Sequence, residues 1–173
     1  MQARREYGFT LIELLIVVAI ISIIAAIAVP GLLRVRMTGN ETSAITSLKI
    51  TNTSQLSYST VCGQGAYASS YPMLLTAPGG AGEGFISADL GGAVNPIKSS
   101  YLFTLAPGAG SAAGPNDCNG VATITTYYAT GVPQSFGTSG QRSFATNQSQ
   151  TVWQLNGAAA PTEPFGAPAT PIQ

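Results

Sequence analysis

The sequence contains no histidine and few charged residues. Its 173 residues include seven Lys or Arg and seven Asp or Glu side chains, so the formal net charge is zero. Histidine is the most frequent general base in enzymes and the commonest protein ligand for transition metals. No pair of carboxylates and no activated nucleophile takes its place. We therefore expect a protein that is not an enzyme and that holds neither a cofactor nor a metal ion.

The low count of basic residues also limits the classes of partner. A nucleic-acid-binding domain usually carries a cluster of Lys and Arg, and this chain lacks such an electrostatic footprint. We expect no nucleic-acid partner. Ser, Thr, Asn, Gln and Gly are abundant instead. A neutral surface rich in hydroxyl groups is suited to a protein that packs against copies of itself.

One long apolar run stands near the start of the chain. It extends from Phe9 to Val29, is interrupted by the carboxylate of Glu13, and follows a polar leader, residues 1–8. As a helix it would be about 32 Å long, close to the thickness of the hydrocarbon core of a bilayer. A charged side chain at the centre of a bilayer costs about 2.5–3.5 kcal/mol, and less near one end. Gly8, at the junction, is also unfavourable in a helix.

Cleavage of the chain between Gly8 and Phe9 would account for both features. Glycine gives a protease close access to the backbone, and the cut leaves a free α-amine on Phe9. That ammonium group lies one helical turn from Glu13, in the same chain or in a neighbour that is shifted along a shared axis. A pair between neighbours would fix the register of an assembly, as a buried polar residue does in a coiled coil.

The leader with two arginines, Gly8, the sequence Phe9-Thr10-Leu11-Ile12-Glu13 and the long apolar run resemble the prepilin signal of type IV pilins and related pseudopilins. The resemblance is specific as far as Pro30. It implies cleavage after Gly8 by a prepilin peptidase and N-methylation of Phe9. It also implies that Glu13 acts in the recruitment or alignment of subunits.

The same resemblance implies a location. The precursor would span the inner membrane once, with residues 31–173 outside the cytoplasm. Arg4 and Arg5 favour a cytoplasmic N-terminus by the positive-inside rule. Three other interpretations remain: a secretory signal peptide cut near residues 26–28, a twin-arginine export signal, and a simple membrane anchor. A secretory signal peptide does not account for Glu13. The residues around Arg4 and Arg5 fit a twin-arginine signal poorly. A simple anchor accounts for neither Gly8 nor Glu13.

Helical periodicity continues after the apolar run. Pro30 lacks an N–H group and cannot bond the carbonyl of Ala26, so we predict a kink there rather than the end of the helix. Many pilins have a glycine within the apolar run, where this chain has Ser22. The continued helix should end near residues 58–61. Its apolar face is predicted to consist of Leu33, Met37, Ile45, Leu48 and Leu56.

The second half of the chain has the pattern of β-strands. Residues 101–106, 121–128, 142–146 and 151–155 are rich in β-branched and aromatic side chains. An antiparallel sheet of about four strands, packed on the long helix, gives a pilin-like α+β fold. The predicted segments are a leader (1–8), a helix (9–60) and a globular β domain (61–173), which ends in a Pro- and Ala-rich tail (157–173). Residues 61–100 form a connection rich in Gly, Ala and Ser, to which we assign no regular element, although short helical turns could place some of its apolar side chains against the long helix.

Two cysteines, Cys62 and Cys118, fall in the region that the resemblance places outside the cytoplasm, where disulfides form and persist. A bond between them would close a loop of about 57 residues and contribute about 4 kcal/mol to stability. The alternative is two unrelated thiols. In many type IV pilins the disulfide closes a loop near the C-terminus instead.

A cluster of polar residues lies around the second cysteine. Asn116, Asp117 and Asn119 could offer oxygens to Ca²⁺, as in major pseudopilins, but their sequence is more typical of a turn.

These observations predict a structural subunit, a pilin, of a type IV pilus-like cell-surface filament. Its partners would be copies of itself in a helical homopolymer, a prepilin peptidase, the pilus assembly machinery and, before assembly, the inner membrane. The assembled subunit would be extracellular. The alternatives are a pseudopilin of a type II secretion system and a minor pilin that acts as a binding module.

Overall fold

The computed structural model describes residues 8–172. Its longest element is a helix, α1 (Leu11–Val61), of 51 residues. The chain divides into two compact units, the first ending at Arg36 and the second beginning at Met37. The pilin-like α+β class is confirmed, because a long apolar helix is followed by an antiparallel sheet.

The first unit contains the apolar part of α1. Every large apolar side chain from Phe9 to Val35 is exposed, by 47–81% of its surface. The helix continues through Pro30, so the proline does not end it; the kink stays a prediction. Helix formation satisfies the backbone of this segment, while its large apolar side chains are exposed.

The second unit adds short helices and strands to the rest of α1. The short helices are α2 (Tyr71–Leu75) and α3 (Ala88–Gly91), with a 3₁₀ turn at Pro78–Gly80 between them. The strands are β1 (Ile97–Lys98), β2 (Tyr101–Pro107), β3 (Ala113–Asn116), β4 (Ala122–Ile124), β5 (Tyr127–Pro133), β6 (Arg142–Asn147), β7 (Trp153–Asn156) and β8 (Thr170–Pro171). Within residues 8–172, one antiparallel sheet has the order β1-β2-β5-β6-β7-β8, and β3 and β4 form a separate pair.

Three of the four predicted strands, over residues 101–106, 142–146 and 151–155, correspond to β2, β6 and β7 of the larger sheet. The prediction of one strand over residues 121–128 was wrong, because the chain changes partner there. β4 pairs with β3, whereas β5 pairs with β2 and β6. The added edge strands, β1 and β8, have two residues each, which is too short to produce an alternating pattern. Short helical turns occur in residues 61–100, a stretch to which the sequence alone assigned no regular element.

The face of α1 that packs against the second unit differs from the predicted one. Leu48 is fully buried, as predicted, but Leu33 and Leu56 are 52% and 46% exposed. The buried face recurs every three or four residues through Glu41, Ala44, Leu48, Thr51, Gln55 and Tyr58. Because several of these residues are polar, the apolar side chains alone did not reveal the face.

Hydrogen bonds satisfy most of the polar side chains that α1 buries. Asn52 donates to the hydroxyl of Thr146 and the carbonyl of Gln150, both at 2.9 Å, and its Oδ1 accepts from the hydroxyl of Tyr127 at 3.0 Å. Gln55 donates to the carbonyl of Ala68 and accepts from its N–H, both at 2.9 Å. Burying polar groups costs little when they are paired in this way.

An ion pair lies at one end of the same face. Both oxygens of Glu41 accept from Arg142: the backbone N–H at 3.1 Å, and Nε and Nη2 at 2.9 and 2.7 Å. The N–H of Gln141 adds a bond of 2.8 Å. Glu41 is only 7% exposed, so removing the Arg142 side chain would leave a buried charge that only backbone N–H groups compensate.

The C-terminal tail lies over the outer face of the sheet. The ring of Phe165 stacks on Trp153 with centroids 5.5 Å apart and packs against Tyr128 at 6.2 Å. The carboxylate of Glu163 accepts from the backbone N–H of Ala109 and from the side chain of Asn147. The tail therefore covers side chains of the sheet that would otherwise face solvent.

We predict that the protein loses stability above about pH 10. Burial raises the pKa of Tyr71 to about 12 and also raises the pKa of Tyr58, Tyr101 and Tyr127. Tyrosines in the unfolded chain ionise near pH 10. Stability is therefore fully present below that pH and falls as the pH rises, because the unfolded state releases protons first.

A pH titration of the full chain in detergent, followed by circular dichroism and tyrosinate absorbance, tests this. The absorbance of the buried tyrosines should appear together with unfolding, and Tyr71→Phe should move the midpoint to higher pH. Gradual ionisation of all tyrosines near pH 10 in an intact fold would contradict the burial.

We predict opposite results for two substitutions of buried polar residues in α1. Asn52→Leu leaves the Tyr127 hydroxyl and the Gln150 carbonyl without partners and should cost about 3 kcal/mol. The hydroxyl of Ser47 is buried and has no hydrogen-bond partner within residues 8–172. Ser47→Ala should be neutral or stabilise by up to about 1 kcal/mol. Thermal unfolding of the full chain in detergent measures both, and equal losses would be inconsistent with this description.

Candidate processing and assembly site

The Gly8–Phe9 bond lies immediately before α1. Residues 8–10 have no regular secondary structure and are exposed, and Phe9 is 80% exposed. A side chain built at Gly8 would meet no atom within 4 Å among the described residues. The fold itself therefore does not require glycine at this position. A requirement for glycine would come from something that acts on the chain, which is compatible with the predicted protease.

Thr10 and Glu13 form a capping box at the start of α1. Glu13 Oε2 accepts from the backbone N–H of Thr10 at 2.9 Å and from its hydroxyl at 2.6 Å. The N–H of Glu13 donates to the Thr10 hydroxyl at 3.3 Å. These reciprocal bonds satisfy N–H groups that have no partner within the helix. Our sequence analysis missed Thr10, although Thr-x-x-Glu before an apolar run is a recognised signature of this cap.

The capping box leaves part of the Glu13 carboxylate available. Among residues 8–172 no group donates a hydrogen bond to Oε1, and the Glu13 side chain is exposed. A negative charge in the first turn is also stabilised by the helix dipole. Oε1 can therefore accept an ammonium group. The Phe9 amine becomes such a group only after cleavage, so the predicted Phe9–Glu13 pair stays a prediction.

The segment after Glu13 has few polar features. The hydroxyl of Ser22 donates to the carbonyl of Val18 at 2.7 Å and is thereby satisfied within the helix. Glu13 is the only ionisable side chain from Phe9 to Leu33. By length and composition, α1 is long and apolar enough to cross a membrane. The geometry of the segment fits insertion in lipid or packing against other apolar helices.

The predicted pair of cysteines lies at the other end of α1. Cys62 and Cys118 are joined by a disulfide, and the N–H of Cys118 donates to the carbonyl of Cys62 at 2.9 Å. Beside it, Asp117 accepts from the Tyr58 hydroxyl at 2.8 Å and from the N–H groups of Asn119 and Val121 at 2.9 and 2.7 Å. The carboxylate of Asp117 is turned inward and holds a turn, which argues against a calcium ligand.

Comparisons with known proteins identify the N-terminal region. Residues 3–29 match the family model for the prokaryotic N-terminal methylation motif. The chain is 50% identical over 54 residues to the type IV major pilin protein PilA of Myxococcus xanthus. It is 59% identical over 39 residues to the type IV wide pilus major component PilA4 of Thermus thermophilus. No solved structure matches the chain significantly.

The matches cover only part of each protein. The first spans 31% of this chain and 24% of the relative, and the second spans 22% of this chain and 30% of the relative. The chain therefore covers less than a third of the length of these curated relatives. It carries the prepilin-type N-terminal motif and is homologous, over that part of its length, to type IV major pilins.

Proposed function

We propose that this chain is the structural subunit of a type IV pilus-like cell-surface filament. The observation that carries the proposal is the exposed apolar segment of α1, in a chain whose second unit has a core of its own. An apolar surface of this size requires lipid or other copies of the segment to cover it. The N-terminal motif and the two named pilins support a filament subunit over other membrane-anchored proteins.

The proposed life cycle follows from the same segment. The precursor spans the inner membrane once, with its N-terminus in the cytoplasm. A prepilin peptidase removes residues 1–8, and Phe9 is N-methylated. The assembly machinery then moves the subunit into an extracellular helical homopolymer whose core is built from helices 9–60, with residues 61–173 outside. The apolar segment thus exchanges lipid for the helices of neighbouring subunits.

In this proposal Glu13 sets the position of each incoming subunit. Thr10 holds one carboxylate oxygen, and Oε1 accepts the Phe9 ammonium of a neighbour or of the same chain. In apolar surroundings an unpaired carboxylate is costly. A subunit whose axial position leaves Glu13 without an ammonium partner would therefore be disfavoured. The alternatives, a type II secretion pseudopilin or a minor pilin that binds a ligand, would use the same N-terminal chemistry. Both curated relatives are named as major components, which favours the major subunit.

We expect filaments sheared from cells to consist mainly of this chain, beginning at N-methyl-Phe9. Mass spectrometry gives the N-terminus, and electron microscopy of the same material shows whether long fibres are present. A processed chain confined to the cell envelope would favour the pseudopilin or minor-pilin alternative. A chain that starts at Val29, or that retains residues 1–8 in the fibres, would refute the proposed processing.

We predict that Glu13→Gln is processed but assembles at least about tenfold less filament, since glutamine can complete the capping box but carries no charge. The control is Ser22→Ala, which removes a hydroxyl that bonds only its own helix and should assemble normally. Immunoblots of the membrane and sheared fractions measure both variants. Normal assembly of Glu13→Gln would show that the residue serves the cap and not an ion pair.

A further inference from the structure

A groove lined by both apolar and polar side chains runs along the exposed side of α1 in the second unit. It lies between α1 and the segment of residues 75–87, and consists of two adjoining cavities of about 720 and 350 Å³. Ile50 and Phe85 line both cavities. Ile50 is 39% exposed, and Leu75 and Phe85 are partly buried. The groove thus offers apolar side chains that nothing in the second unit covers completely.

The floor of the groove is fixed in place. The N–H of Phe85 donates to the carbonyl of Leu74 at 2.7 Å, and its carbonyl accepts from the hydroxyl of Ser54 at 2.8 Å. The ring of Phe85 meets Tyr58 edge-on, with centroids 5.4 Å apart. Tyr58 is itself buried and bonded to Asp117. A partner would therefore meet a preformed surface, which lowers the entropic cost of binding.

One carboxylate at this groove has no ionic partner among residues 8–172. Glu83 lines the larger cavity and is exposed. Within residues 8–172 the ion pairs are Lys98–Asp89 and Arg142–Glu41, and neither involves Glu83. The groove therefore combines apolar side chains with two opposite charges, which are Glu83 at the larger cavity and Lys49 at the smaller one. An occupant that fits the larger cavity carries apolar side chains next to a cation.

The first unit contains a segment with that chemistry. In residues 32–36, Leu32, Leu33 and Val35 are 60%, 52% and 69% exposed, and Arg36 follows them directly. Arg36 forms no ion pair within the described part of the chain. The apolar run before residue 32 contains no basic residue after the leader, so it has no cation to offer to Glu83.

We propose that the groove binds residues 32–36 of a second copy of this chain, with Arg36 of that copy paired to Glu83. The inference rests on the proposed filament and names one of its contacts between subunits. The two surfaces differ, so the contact is heterologous; repeated from copy to copy without closing, it extends a fibre. A pair of this kind at the edge of an apolar contact contributes mainly register and specificity.

Charge reversal in the full-length chain, produced in cells that lack the wild-type copy, tests the contact. Glu83→Arg and Arg36→Glu should each reduce sheared filament about tenfold, because like charges then face each other. The double variant should restore filament to within about twofold of wild type, because the pair is rebuilt in the opposite sense. Membrane levels and removal of residues 1–8 should be unchanged in all variants.

Asp89→Arg is the matched control. It reverses another exposed carboxylate of the same unit, whose surface pair with Lys98 has little influence on stability, and it should assemble normally. The docking would be overturned if Glu83→Arg assembled normally, or if the double variant produced no more filament than the single variants do. Either result would leave the proposed function intact as long as the wild-type chain forms filaments. Absence of wild-type filaments would instead overturn the proposed function.

Discussion

The second unit depends on a row of polar side chains that α1 buries against the sheet and the loops beside it. Glu41, Asn52, Gln55 and Tyr58 each bond a different partner, from the β5–β6 connection to the turn at Asp117. Apolar packing tolerates small shifts, but hydrogen bonds of this kind hold only in one arrangement. A slip of α1 by one turn would leave all of these groups buried and unpaired. The polar row therefore defines a single alignment of helix and sheet.

The two parts of α1 are both helical but differ in the contacts that their side chains make. The part before Arg36 satisfies its backbone internally and offers apolar side chains in every direction, as a helix in lipid or in a bundle does. The part after Met37 makes directional contacts on one face only. In the proposed function the apolar part moves from lipid to the helices of other subunits, so it cannot depend on specific polar partners. The part after Met37 holds a folded unit in one arrangement and needs such partners.

The sequence predicted the features that depend on neighbouring residues, but not those that depend on contacts between residues far apart in the chain. The apolar run, Gly8 and Glu13 are contiguous, and the strand around Phe103 alternates between buried and partly buried residues. The buried face of α1 was misjudged because Asn52 and Gln55 become interior residues only through groups 13 to 98 residues away. The edge strands and the position of the tail likewise follow from tertiary contacts. The capping box was readable in the sequence and was overlooked.

The disulfide at the end of α1 has a mechanical consequence. In the proposed filament, tension would pull α1 along its axis, and the polar row would bear that load in shear, with its bonds strained together rather than one after another. Resistance to such force depends on the rate of forced unfolding and not on equilibrium stability. If the row were to yield, the covalent link from Cys62 to Cys118 would still hold the far end of the helix. It would act as a stop that prevents α1 from being drawn out of its own subunit.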